Sequence, residues 1–119
     1  MLDTLDLVIV GHKKNEYFII ACYDDDRDEY CTIGVLKENE LPDIDLYNID
    51  DARVVSMYDI DRWIYPEIVI EVSCDSIESS HSQRSPYFLV NPLFIKVRDD
   101  KNAEHATTLD EVAYLYKNQ

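Results

Sequence analysis

Glycine is nearly absent from this chain: Gly11 and Gly34 are the only two among 119 residues. A loop that cradles phosphate needs several glycines close together, so neither a P-loop nor a dinucleotide fingerprint can be built here. Basic residues are also scarce. Eleven Lys and Arg stand against 25 Asp and Glu, giving a net charge of −14 and a pI near 4.3. So negative a surface repels phosphate backbones at long range and argues against an independent nucleic-acid binder. No stretch of about 18 apolar residues occurs, so no membrane span and no membrane partner is expected. The acidic opening Met-Leu-Asp-Thr-Leu-Asp lacks the basic segment of a secretory signal. Cys22, Cys31 and Cys74 are odd in number, form no C-x-x-C pair, and are accompanied by no N-x-S/T sequon. These features suit a reducing, intracellular setting, with Cys22 and Cys74 expected to be buried thiols.

What is present is ordinary globular material: 46% hydrophobic and 30% charged residues in 13.9 kDa, the size of one domain spanning 1–119. A chain this long hides roughly two-thirds of its unfolded surface and needs no metal or disulfide staple. The charge is unevenly spread. Asp24 to Asp51 holds 11 acids and two bases, whereas Arg84 to Lys101 holds four bases and two acids. Any anion-binding role belongs in the second stretch.

Apolar, β-branched and aromatic runs predict strands at Leu5 to Val10, Tyr17 to Tyr23, Tyr30 to Leu36, Ile68 to Cys74 and Phe94 to Arg98. Gly11 closes the first run, His12-Lys13-Lys14-Asn15 and the charged segment Asp24 to Asp28 read as turns, and Ala52 to Tyr58 as a short strand or extended segment. Lys37 to Asp51 reads as a long acidic loop with a helical turn, and Glu78 to Pro86 as a Ser-rich loop. Thr108-Leu109-Asp110-Glu111 fits a capping box, and Leu109, Val112, Ala113 and Tyr116 follow at helical spacing to about Lys117. The expected fold is mainly β: a small five-stranded Greek-key barrel of the OB type with a C-terminal helix.

Several chemical motifs fail on inspection. Asp24, Asp26 and Asp28 copy the first ligands of an EF-hand loop, but Glu29 replaces the required Gly and Val35 the bidentate Glu. His12, His81 and His105 have no ligand-spaced partners, so no metal site is expected. Ser79, Ser80, Ser82 and Ser85 surround His81 without a nucleophile elbow, which reads as a flexible surface loop.

The informative segment is Phe88-Leu-Val-Asn-Pro-Leu-Phe-Ile-Lys-Val-Arg-Asp-Asp-Lys101. It resembles motif VI of the C-terminal OB-fold domain of ATP-dependent DNA ligases of the eukaryotic, archaeal and poxviral kind. The resemblance spans nearly the whole chain. Asp3 to Gly11 is similar to the strand opening that domain, and Phe18 to Asp24 to its second strand. Asp61-Arg62-Trp63 with Pro66, then Val69-Ile70-Glu71-Val72, resemble a middle block. Ala106-Thr107-Thr108 through Gln119 resembles the closing helix.

The resemblance implies a domain of an enzyme that seals nicks. ATP adenylylates a lysine, AMP passes to the 5′-phosphate, and the 3′-hydroxyl attacks. The OB domain would close over the nucleotide in the first step and clamp nicked DNA afterwards, in replication and repair. Lys96, Arg98, Asp100 and Lys101 match the cationic end of motif VI and would face ATP and its pyrophosphate. Lys13, Lys14, Arg84 and Asn91 are the expected DNA contacts. ATP and Mg2+ are the implied cofactors of the full enzyme. Nicked duplex DNA and the enzyme's own nucleotidyltransferase domain are the implied partners, with a monomeric state. A nuclear location follows for a eukaryote and a cytoplasmic one otherwise.

Two departures stand out. Motif VI usually opens Arg-aromatic-Pro-Arg, whereas Val90-Asn91-Pro92-Leu93 stands here. The first hairpin is short, keeping only Lys13 and Lys14. No K-x-D-G nucleophile motif occurs, so the chain is expected to open where the nucleotidyltransferase domain ends and to be inactive alone. The competing reading is an acidic OB-type protein-interaction module that has lost ligase chemistry.

Overall fold

The computed structural model describes residues 4–49, 54–56, 58–82 and 85–119. Ten strands, two short 3-10 turns and one helix make up these residues. Strands β1 (Leu5–Lys13), β2 (Tyr17–Asp24) and β3 (Glu29–Lys37) form an antiparallel meander. Strand β4 is Asn48–Ile49, β5 Val54–Val55, β6 Arg62–Ile64, β7 Val69–Ser73, β8 Ser76–Ser79, β9 Tyr87–Val90 and β10 Leu93–Val97. The main sheet runs β10-β7-β1-β2-β3-β5, with β6 on the far end of β1 and β4 on β6. A second two-stranded sheet joins β8 to β9.

The two sheets are continuous in chain path. Strands β7 and β8 are consecutive, and so are β9 and β10, and each pair bends at Cys74-Asp75 or Asn91-Pro92. Asn91 adopts φ 51 at that bend, and its side-chain amide donates to Asp75 Oδ2 at 2.8 Å. A short polar side chain tolerates the left-handed region there. Together with β1, β2 and β3 these bent pairs give five long strand paths that curl into a partly open OB-type barrel. On the closing side Leu89 of β9 faces Gly34 of β3, and the buried Ser85 hydroxyl donates to the Thr32 carbonyl.

Alternation along the strands divides the interior in two. Leu5, Leu7, Ile9, Ile20, Cys22, Cys31, Ile33, Ile70 and Val72 pack in the barrel. Val8, Val10, Ile19, Ala21 and Val69 face the opposite side and pack with Tyr30, Ala103 and Ala106. Because β1 and β2 are covered on both faces, they read as continuous apolar runs rather than alternating ones.

The helix α1 (Leu109–Lys117) forms as its sequence predicts: Glu111 N–H donates to Thr108 Oγ1 at 3.1 Å and Thr108 N–H to Glu111 Oε1 at 3.0 Å. Its apolar face, with Val112 fully buried, closes the barrel core. Beyond it, the Gln119 side chain serves both backbone groups of Ile77, accepting at 2.9 Å and donating at 2.6 Å.

The structure corrects several expectations. The Ser-rich segment begins in β8, and its hydroxyls are used locally: Ser80 and Ser82 accept from the N–H groups of Ser82 and Ser85. Ser85 is buried rather than part of a loose surface loop. Strands β4, β6 and β9 lie where no strand was expected. Gly11 does not close the first strand: it sits within β1 beside a register shift, and His12 and Lys13, expected in the turn, continue the strand. Cys22 and Cys74 are buried as expected, and so is Cys31. At the second hairpin Asp24 is buried, accepts from the N–H groups of Asp26 and Arg27, and holds the Arg27 guanidinium at 3.1 Å. The neighbouring Asp24, Asp25 and Asp26 carboxylates are thus part of an acidic turn. No described helix is long and apolar enough to cross a membrane.

Candidate functional site

The predicted cationic motif folds onto the outer face of the sheet. Antiparallel pairing sets Asp6 of β1 opposite Glu71 of β7, and Glu71 opposite Lys96 of β10. Arg98 follows directly after β10, its N–H donating to the Val69 carbonyl at 2.8 Å. From there its guanidinium forks onto Asp100: Nε reaches Oδ1 and Nη2 reaches Oδ2, each at 3.0 Å. Nη1 donates to Asp6 Oδ1 at 3.0 Å and lies 3.7 Å from Glu71 Oε1. Lys101 Nζ donates to the other Asp6 oxygen at 2.7 Å.

Two cations therefore face three carboxylates. The hydrogen bonds from Arg98 hold the Asp100 carboxyl down to about 2, helped by a backbone donor and the Lys96 charge. The same contact with Asp100, then the charge of Asp6, raises the Arg98 guanidinium. Such two-pronged charge-assisted pairing fixes direction as well as distance. Arg98 and Asp6 are largely covered, with side chains 21% and 16% exposed, and Lys101 is 33% exposed. An ammonium carries three donors and a guanidinium five. Among the described residues Lys101 spends one donor on Asp6, so two remain for an incoming anion. Lys96 is exposed on β10.

Lys96, Arg98, Asp100 and Lys101 thus come together. The expected DNA contacts do not join them. Lys13 ends β1 and Lys14 follows it, seven and eight residues from Asp6, and seven residues is about 23 Å along a strand. Lys13 Nζ lies 3.4 Å from Asp61 Oδ1, and the Lys14 N–H donates to Asp61 Oδ2 at 2.6 Å. These contacts, the Lys14 backbone first, hold the Asp61 carboxyl below its usual range and raise the Lys13 ammonium. Asn91 sits at the β9–β10 bend, committed to Asp75. Arg84 lies outside the described residues.

Sequence reasoning missed Asp6 and Glu71. The available signal was a lone carboxylate inside an apolar strand, since a half-buried charge needs a partner. It also missed a network beside Lys14. There His12 stacks on Phe18 at 4.3 Å, accepts from Arg62 Nε at 3.1 Å through Nδ1, and meets Glu38 Oε2 at 3.0 Å through Nε2. With Nδ1 accepting, the proton of a neutral ring lies on Nε2 and points at Glu38. This contact holds the Glu38 carboxyl below its usual range.

Comparison with known proteins finds DNA ligases along the whole chain. DNA ligase 1 of Drosophila melanogaster is 32% identical over 98% of this chain and 20% of its own length. A DNA ligase of Methanothrix thermoacetophila is 30% identical over 100% of the chain and 23% of its own length. One from Archaeoglobus fulgidus matches at 30% with the same coverage. No family model matches the chain. The chain spans 20% to 23% of the length of these curated relatives, the extent of a single domain. Aligned over its whole length with ligases of both eukaryotic and archaeal origin, and folded as an OB-type barrel, the chain corresponds to a single domain of DNA ligases.

Proposed function

We propose that this domain works within an ATP-dependent DNA ligase, closing over the nucleotide during lysine adenylylation and clamping nicked DNA during sealing in replication and repair. The observation that carries the reading is the Asp6–Arg98–Lys101 cluster. It presents a fixed ammonium with two unused donors at a sheet rim, beside an exposed Lys96. Fixed cations stabilise the charge of a leaving pyrophosphate without having to reorganise. In this reading Lys101 and Lys96 touch the triphosphate, and Arg98 and Asp100 hold the turn that presents them. The donor set fits a polyanion. ATP with Mg2+, the nucleophilic lysine and the rest of the active site belong to the nucleotidyltransferase domain. Clamping rests on Lys13, Lys14, Arg84 and Asn91, a modest set beside a net charge of −14.

The test uses the full-length ligase. Lys101→Ala should slow self-adenylylation by about a hundredfold, the effect of removing one preorganised charge donor. Sealing of a pre-adenylylated nick should change little, because no pyrophosphate leaves in that step. Equal loss in both steps would assign Lys101 to DNA clamping. No loss in either would favour an acidic protein-interaction module.

A further inference from the structure

We infer that Asp6 is a positioning residue that aims the Lys101 ammonium, an inference that rests on the reading of Lys101 just given. Four observations carry it. The two oxygens of one carboxylate are divided between two cations, Arg98 at 3.0 Å and Lys101 at 2.7 Å, so the position of each cation is referred to the same group. The backbone that carries this carboxylate is itself held in place. Asp6 N–H donates to Thr107 Oγ1 at 2.9 Å, and its carbonyl accepts from Thr107 N–H at 2.8 Å. Thr107 in turn is held by the Tyr23 N–H at 3.0 Å. Burial leaves little room for an alternative orientation, and Glu71 Oε1 lies 3.7 Å from the same Arg98 Nη1 that Asp6 holds.

The backbone of the turn that carries Lys101 fixes this side chain only weakly. The Lys101 N–H reaches the Arg98 carbonyl at 3.4 Å, beyond the usual range for an amide hydrogen bond. A four-carbon side chain on such a turn samples many rotamers. Asp6 removes that freedom before any nucleotide arrives, leaving two N–H groups of Lys101 without a partner among the described residues. Preorganisation of this kind affects the step in which charge develops at the ammonium and leaves other steps alone.

The experiment places Asp6→Asn, Asp6→Glu, Lys101→Ala and the Asp6→Asn/Lys101→Ala double variant in the full-length ligase. Each is assayed for self-adenylylation with MgATP, for sealing of a pre-adenylylated nick, and for thermal melting. Asp6→Asn should slow adenylylation roughly tenfold or more, with sealing within about twofold of the parent. The double variant should be no slower than Lys101→Ala alone, since residues acting as a unit are not additive. Asp6→Glu should recover part of the rate. If Lys101→Ala slows adenylylation and Asp6→Asn does not, the inference is wrong and the proposed function stands. Additive losses, or loss in both steps with a lowered melting temperature, would make Asp6 an ion-pair strut and overturn the inference. A Lys101→Ala variant unchanged in both steps overturns both.

Discussion

Thr32 should be more useful to this fold as valine. It lies fully buried in β3, and among the described residues its hydroxyl oxygen has no hydrogen-bond partner. An unsatisfied buried polar group carries its desolvation penalty of about 1–3 kcal/mol in the folded state only. Valine has the same branched shape, so the exchange opens no cavity, and a β-branched residue suits a strand. Thr32→Val should therefore stabilise the chain by about 1–2 kcal/mol. At this length that corresponds to roughly 4 °C in melting midpoint per kcal/mol. Thr32→Ser separates the two contributions. It keeps the hydroxyl and loses a buried methyl, and should destabilise by about 1 kcal/mol. Urea titrations of the three proteins at 25 °C give the comparison, provided the denaturant slope stays constant. A valine variant no more stable than the parent would refute the reasoning, because the hydroxyl must then be satisfied in solution.

Three further outcomes are expected. Ser85→Ala removes the buried hydroxyl that donates to the Thr32 carbonyl where the barrel closes, and should lower stability by about 1–2 kcal/mol in the same titration. Thr108→Ala removes the helix N-cap and should cost about 1 kcal/mol, with a measurable loss of helical circular dichroism on mild heating. The third concerns pH. Asp100 titrates near 2 in the fold against 3.8 when free, so its contribution is complete above the unfolded value and is lost as pH falls through about 2. Glu38 and Asp61 are lowered too and act with the same sign. Melting midpoints of Asp100→Asn should accordingly fall less steeply than those of the parent between pH 4 and pH 2; parallel curves would remove Asp100 from the account.

The parts of the fold legible in the sequence were those decided by neighbouring residues. The helix was readable because its capping box and its apolar stripe lie within nine residues of one another. Strands β1, β2, β3 and β7 were readable because burial on both faces leaves long β-branched runs. The two-residue strand β4 carries no such signal and exists because β6 offers it a backbone partner, whereas β5 lies within the segment expected to be a short strand or extended and pairs with β3. Strand β8 is polar at Ser76, Glu78 and Ser79 and buries Ile77 alone, so composition pointed to a loop.

The candidate site divides in the same way. Lys96, Arg98, Asp100 and Lys101 could be singled out because they stand close together in an otherwise acidic chain, and the Arg98–Asp100 pair is local. Asp6 lies 92 and 95 residues from the cations it holds, and no local pattern reports a contact at that separation. Sequence alone determined the strand-rich class, the C-terminal helix and the cationic segment, since each follows from short-range chemistry. Only the tertiary structure decided which carboxylates meet those cations and that Lys13 and Lys14 stand at the opposite end of β1. Strand register, fixed by which side chains the two cores bury, is a property of the whole sheet.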